Sequence, residues 1–249
     1  MRETIARHLD HDPHFEWRGQ NVTRIENLSD IVFALALGML LLTGSPPQTY
    51  PELLHFLVSI VPVTAGFTML FMIWNTHFVF FRRYAIADNT IVFLNSAMLL
   101  MVLFIAYPLR FIFDSFFWYV LSSITGNFDR LISMQVGLQQ AAESMAIFAC
   151  LYAILYFLMG LMYAHALRKA DDIGLSEKET HLTRQSVWML RGEVVIALFV
   201  AVCAYFTPIG PFAGFFMILN WPAALIIEKA LKDANNRPTA SVIAAGPDE

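Results

Sequence analysis

Polar and apolar positions along this chain fall into blocks of membrane length rather than the short alternations of a soluble fold. Stretches free of Asp, Glu, Lys and Arg run over 31–51, 53–81, 89–109, 115–128, 144–167 and 194–227. A helix needs about 20 mainly apolar residues to cross a bilayer. The 115–128 stretch is too short and carries Ser122, Ser123, Gly126 and Asn127, so its Phe116-Phe117-Trp118-Tyr119 cluster reads as an interfacial aromatic anchor. The 194–227 stretch is too long for one helix, and Thr207-Pro208-Ile209-Gly210-Pro211 places a turn near its middle. Six spanning helices are predicted, at about 27–43, 54–80, 89–112, 139–166, 187–207 and 212–231. The expected fold is an all-α integral membrane protein.

Composition points the same way. Hydrophobic residues make up 57% of the 249 and charged residues 14%, against about 25% charged in a soluble domain. A net charge of −4 gives no reason to expect a nucleic-acid partner. Cys150 and Cys203 each sit inside an apolar run and read as small core hydrophobes, not as a disulfide framework or a thiolate metal site. The first 26 residues are polar and mixed in charge, so no cleavable signal peptide is expected. With six spans, every Lys and Arg except Arg110 and Arg130 falls on one side, which predicts cytoplasmic N and C termini. The chain divides into a cytoplasmic N-terminal arm (1–26), a six-helix transmembrane domain (27–231) and a flexible cytoplasmic tail (232–249).

Candidate chemistry lies in the few polar residues inside the spans. The first span opens Arg24-Ile25-Glu26-Asn27-Leu28-Ser29-Asp30, which puts Asp30 about one turn into an apolar helix. It is either an N-terminal acid favoured by the helix dipole or a member of a packed polar network. Trp74 and His77 share a face of the second span, where the histidine is either a satisfied core residue or part of that network. Asn95 in the third span must hydrogen-bond to another helix. Glu143, Glu193 and Glu228, near predicted helix ends, read as snorkelling side chains, the last paired with Lys232. No histidine pair stands at metal spacing, and no nucleotide loop, nucleophile elbow, HExxH motif or Thr-Val-Gly-Tyr-Gly filter occurs. No nucleophile–base pair stands out, so an enzyme is not expected.

Arg24-x-x-x-Leu28-Ser29-Asp30, the following Val-Phe-Ala-Leu-Ala-Leu, Trp74-x-x-His77, Asn95 and Pro108 together resemble the transmembrane protein 175 family of lysosomal and prokaryotic potassium-permeable channels. The likeness covers about the first 110 residues; beyond them it is one of hydropathy and helix number. The family has Phe where this chain has Leu28. The resemblance implies a six-helix unit without a pore-loop filter, assembling as a homotetramer with the first helix lining a central pore. It implies a pore constriction at Leu35, with Met39 and Leu42 on the same stripe and Gly38 at a pore-lining position where relatives place Thr or Ser. Spacing alone shows only that Leu35, Met39 and Leu42 share a face, which by itself is a lipid or packing face. The resemblance further implies that Arg24, Ser29, Asp30, Trp74, His77 and Asn95 form the polar network holding the first helix in register.

The expected activity is passive potassium flux through a hydrophobic gate in a multi-pass, prokaryotic plasma-membrane protein. Its partners would be further copies of itself, the lipid bilayer and monovalent cations, with no cofactor apart from permeating potassium. The alternative is a proton-coupled secondary transporter using Asp30 and His77.

Overall fold

A capping box starts the first helix, α1 (Arg24–Leu41). The Thr23 hydroxyl accepts from the Glu26 N–H, and the Glu26 carboxylate accepts from the Thr23 N–H at 3.0 Å. In the computed structural model, which describes residues 15–19, 22–42 and 46–235, all regular structure is helical. The tail beyond residue 235, Arg2 and Arg7 of the arm, and the side chains of Glu228 and Lys232 lie outside the described residues.

The second predicted span divides into α2 (Tyr50–Val58) and α3 (Ile60–Tyr84), with Ser59 between them. Pro62 has no N–H to return to the Val58 carbonyl, and the Ser59 hydroxyl bonds back to the Phe56 carbonyl at 2.7 Å. The next helix, α4 (Asn89–Thr125), runs well past the predicted 112 and takes in the aromatic cluster expected to lie outside it. The sequence limit came from Arg110 and Asp114, but these stand one turn apart and pair at 2.8 Å, so the helix carries both charges through. Pro108 leaves the Phe104 carbonyl without its helical donor and does not end the helix. Gly126 ends it, at φ 74°, where a side chain would be strained.

A short helix, α5 (Asp129–Ser133), leads to α6 (Leu138–Arg168). The following helix, α7 (Glu177–Phe206), begins ten residues before its predicted start because Ser176 and Glu179 form a second capping box. After the Thr207–Pro211 turn the chain winds as a 3₁₀ helix (Gly210–Leu219) and continues as α8 (Asn220–Asn235). At about 2.0 Å per residue the 3₁₀ winding is the more extended form. Gly210–Ile227 therefore spans about 32 Å, close to the thickness of a bilayer core.

Among the described residues, five stretches are long and apolar enough to cross a membrane: Tyr50–Tyr84, Asn89–Thr125, Leu138–Arg168, Glu177–Phe206 and Gly210–Ile227. The 18-residue α1, with Arg24, Glu26 and Asp30, is the more polar exception. One core joins α1, α3, α4, α6 and α7 through side chains such as Phe33, Leu70, Phe80, Met98, Ile105 and Leu155. A second is a seam of small residues, Ala146, Ala149, Val200, Ala201, Ala204 and Ala213. It lets α6, α7 and the 3₁₀ segment approach closely, as helices in lipid do.

Two polar clusters tie down the loops at the α1 N-terminal end. Arg18 bonds Glu179 with both guanidinium arms, Nη1 to Oε1 at 2.8 Å and Nη2 to Oε2 at 2.9 Å. Gly19 lies so close to the end of α3 that a Cβ there would stand 2.6 Å from the Phe81 carbonyl oxygen. Asp88 caps α4 through the Ile91 N–H, and it also takes His165 Nε2 at 2.7 Å and Lys169 Nζ at 3.0 Å. Burial pushes the Asp88 carboxyl up, but the Ile91, His165 and Lys169 donors outweigh it and hold the group well below the ordinary carboxylate range. With a depressed folded value, Asp88 adds stability above about pH 3.9 and loses it as pH falls through the folded value. Asp88→Asn is expected to flatten this acid limb, seen as a smaller drop in thermal midpoint between about pH 6 and about pH 3 than in the unmodified protein. Equal drops would place the acid sensitivity in other groups.

Glu193 differs from its sequence reading. Rather than snorkelling, it is turned into the protein, where it accepts from the Tyr152 hydroxyl at 3.1 Å and from the Asn220 amide. Glu193→Ala would leave both donors unpaired in an apolar setting, at a cost of about 1–3 kcal/mol. A lower thermal midpoint in detergent, largely restored in Glu193→Gln, is the expected result; an unchanged midpoint in Glu193→Ala would show that the carboxyl holds nothing.

Candidate functional site: a pinned helix with an exposed apolar stripe

One face of α1 is fixed by a chain of buried hydrogen bonds centred on Asn95 of α4. The Asn95 amide nitrogen donates to Ser29 Oγ at 3.1 Å, and the Ser29 hydroxyl donates to the Ile25 carbonyl at 2.9 Å. On the other side, Asn95 Oδ1 lies 2.8 Å from His77 Nε2 on α3. A carbonyl oxygen can only accept, so the histidine carries its proton on Nε2 and donates it here. Ser29, His77 and Asn95 are all at most 2% exposed. The His77 ring is flanked by Phe33 at 5.6 Å and Phe81 at 4.9 Å. Three helices are thus locked at one polar point inside an apolar core, where leaving a partner unpaired is costly.

The other motif residues are arranged differently. Asp30 accepts from Trp74 Nε1 at 2.9 Å, at the surface of the protomer and apart from the Asn95 chain. Arg24 is exposed and makes no hydrogen bond or ion pair among the described residues. Within the opening turn of α1 it is Glu26 that forms an ion pair, with Arg82 at 3.2 Å, both side chains largely buried. Arg82 also donates to the Gly19 carbonyl at 2.6 Å and lies over the Phe78 ring at 5.1 Å. Sequence reasoning missed this pair because both residues stood among charges read as topology signals. The Thr23-x-x-Glu26 capping pattern was the available clue to Glu26.

The opposite face of α1 has no partner among the described residues. Ser29, Phe33, Ala36 and Leu40 point into the core. Leu28, Ile31, Leu35 and Leu42, at helical spacing, are 55%, 66%, 57% and 81% exposed. Leu28 is therefore turned away from the polar network. Met39 is half-buried against the edge of the core, and Gly38 is half-buried with open space where a Cβ would stand. Among the described residues no cluster of three or more His, Cys, Asp or Glu is arranged to hold a metal ion.

Residues 24–108, which hold the network and the stripe, match the family model described as endosomal/lysosomal potassium channel TMEM175. A protein of Marivirga tractuosa named "Potassium channel" is 25% identical over 248 residues, covering 95% of this chain and 98% of that one. Among solved structures, a variant of the potassium channel MtTMEM175, in complex with a nanobody–MBP fusion protein, superposes with a TM-score of 0.78 at 24% identity. That match covers 89% of this chain and 98% of the other. The fold is that of the solved channel structure, and the segment that carries the network and the stripe is the one the channel-family model matches. Over residues 24–108 the chain is thus similar to the TMEM175 family, and over nearly its whole length to a protein named as a potassium channel.

Proposed function

We propose that this protein is a potassium-permeable channel whose pore forms where copies of α1 face one another around a shared axis. The observation that carries this reading is the division of α1 into a face fixed by buried hydrogen bonds and an apolar face left exposed by the described residues. One six-span unit supplying one pore helix cannot enclose a path, so a homotetramer is proposed, with α1 as the sixth span beside the five apolar stretches. Both termini are cytoplasmic by the charge distribution, in the plasma membrane of a prokaryote.

The ring of Leu35 side chains forms the neck, with Met39 and Leu42 continuing the stripe. Closed, it excludes water and opposes a bare ion; spreading the helices wets it. Gly38 offers no hydroxyl to a passing cation, so discrimination rests on the cost of dehydration at the leucine ring. Arg24, on the same side of the helix as Leu28 and Leu35 by spacing, stands at the pore mouth, whereas Ser29, His77, Asn95 and the Asp30–Trp74 pair position α1 without touching the ion. Asp30 and His77 are engaged in separate hydrogen bonds, which gives a proton relay between them no support.

Current through bilayers holding the purified protein, under opposed potassium and sodium gradients, tests the activity. Ohmic current reversing toward the potassium equilibrium potential is expected. Absence of current, together with solute uptake driven against its gradient by a pH jump, would replace the channel with a transporter.

A further inference from the structure

Most basic side chains inside the spanning stretches are neutralised or covered by a neighbour. Arg82 pairs with Glu26, Arg110 with Asp114, and Arg83 lies buried over the Phe15 ring at 4.4 Å. Two arginines on α7 depart from this. Arg184 and Arg191 are exposed, and neither makes a hydrogen bond or ion pair among the described residues. They share one face of the helix, with Trp188 between them. Trp188 is 47% exposed, and the Arg191 guanidinium lies over its ring, 5.1 Å from the centroid. Of the carboxylates on α7, Glu179 is held by Arg18 and Glu193 is turned inward to Tyr152 and Asn220. Glu177 stands about 10 Å from Arg184 along the axis.

Depth in the membrane says what meets these cations. Counting about 20 residues back from Phe206, where α7 ends, places the bilayer boundary near residue 187. Trp188 therefore stands at the boundary, where amphipathic rings settle, and Arg191 about one turn inside it. A helical side chain leans toward the N-terminus of its helix, which carries the Arg191 guanidinium back over Trp188 to the level of the lipid phosphates. Beyond Arg191 the same face is apolar and exposed through Val195, Leu198 and Val202. The face thus presents cation, ring, cation and then aliphatic surface, the complement of a phosphate head followed by an acyl chain. A guanidinium stacked on a ring keeps its edge N–H donors free, and these match phosphate oxygens in pairs. With two cations and no carboxylate beside them, a net negative headgroup fits better than a zwitterionic one, which brings its own cation.

We infer that the Arg184–Trp188–Arg191 face holds the headgroup of an anionic glycerophospholipid, with an acyl chain along Val195, Leu198 and Val202. The charge distribution makes this the cytoplasmic leaflet. The inference does not depend on α1 lining a pore. The test offers the full chain in detergent an equimolar mixture of phosphatidylglycerol and phosphatidylcholine and measures the retained lipid by native mass spectrometry. Phosphatidylglycerol is expected to be retained in preference. Arg191→Gln should lower that preference about fivefold, the factor for one basic side chain near an anionic surface, and Arg184→Gln by about as much. Arg191→Lys keeps the charge and should keep most of the preference. Arg130→Gln, which removes an exposed cation beside Trp118, should leave it unchanged. Since Arg191 is exposed, the melting midpoint of Arg191→Gln in phosphatidylcholine alone should stay within about 1–2 °C of the unmodified protein. Equal retention of the two lipids overturns the site, as does a preference that survives in Arg191→Gln or a midpoint that falls in phosphatidylcholine alone. Release of the lipid by inorganic phosphate would overturn it in favour of a free-anion site. Disulfide cross-linking of Trp188→Cys between two copies, in a background lacking Cys150 and Cys203, would overturn it by showing that a second chain covers this face.

Discussion

Leu35→Ala is expected to raise single-channel conductance several-fold and to shift the reversal potential away from potassium and toward that of a pore indifferent to sodium. Leu35 is more than half exposed on a helix whose other face is buried, so truncating it removes nothing from the protomer core. The change should therefore leave the thermal midpoint within about 1–2 °C of the unmodified protein, as for an uncoupled surface substitution. Leu35→Asn should go further by allowing water to stay in the neck when the helices are close. The same truncation at Leu40, fully buried in the core, should cost about 2–5 kcal/mol of stability and give unfolded protein instead of larger currents. Bilayer recordings paired with melting curves separate the two outcomes. Equal conductance in Leu35→Ala and the unmodified protein would remove the leucine from the ion path.

The second large effect is expected at Asn95. Asn95→Leu keeps the side-chain volume close while depriving His77 of its acceptor and Ser29 of its donor. Interhelical hydrogen bonds in membranes average about 0.6 kcal/mol, with an upper range near 1.7. Two of them, with both partners buried, come to about 2 kcal/mol, or a fall of roughly 4–8 °C in melting midpoint for a chain of this size. Asp30→Asn should cost less than about 1 kcal/mol, since its bond to Trp74 lies at the protomer surface. Because α1 loses its register in the first variant, channel activity should fall along with stability. If Asn95→Leu melts and conducts like the unmodified protein, the network does not position the pore helix.

Much of this architecture was legible in the chain because membrane length and charge are coarse signals. Ser29, His77 and Asn95 stood out as polar groups inside apolar runs, and burial forces such groups to find one another. The misjudged boundaries share a cause. Arg110 and Asp114 looked like an end to the third span, yet they neutralise each other one turn apart and let α4 run on to Thr125. The early start of α7 was written in Ser176-x-x-Glu179, a cap rather than a hydropathy feature. The break at Ser59 depends on Pro62 inside an unbroken apolar stretch, where hydropathy is silent.

The site shows the same limit. Glu26 and Arg82 are drawn together by folding from segments 56 residues apart, and neither carries a local mark of the other. Glu193 is held inside by Tyr152 and Asn220, donors from two other elements that spacing along one helix cannot reveal. By contrast, the exposed stripe on α1 follows directly from helical spacing, while its meaning depends on what surrounds it in the membrane.

The most direct test places a cysteine at Leu35 in a background lacking Cys150 and Cys203, and applies silver ions to the open channel. The account predicts rapid, irreversible block at Leu35→Cys and at Leu42→Cys, with none at Leu100→Cys or Phe104→Cys. Undiminished current at Leu35→Cys, with the thiol shown to react in detergent, would mean that this face of α1 looks onto lipid and that ions travel elsewhere.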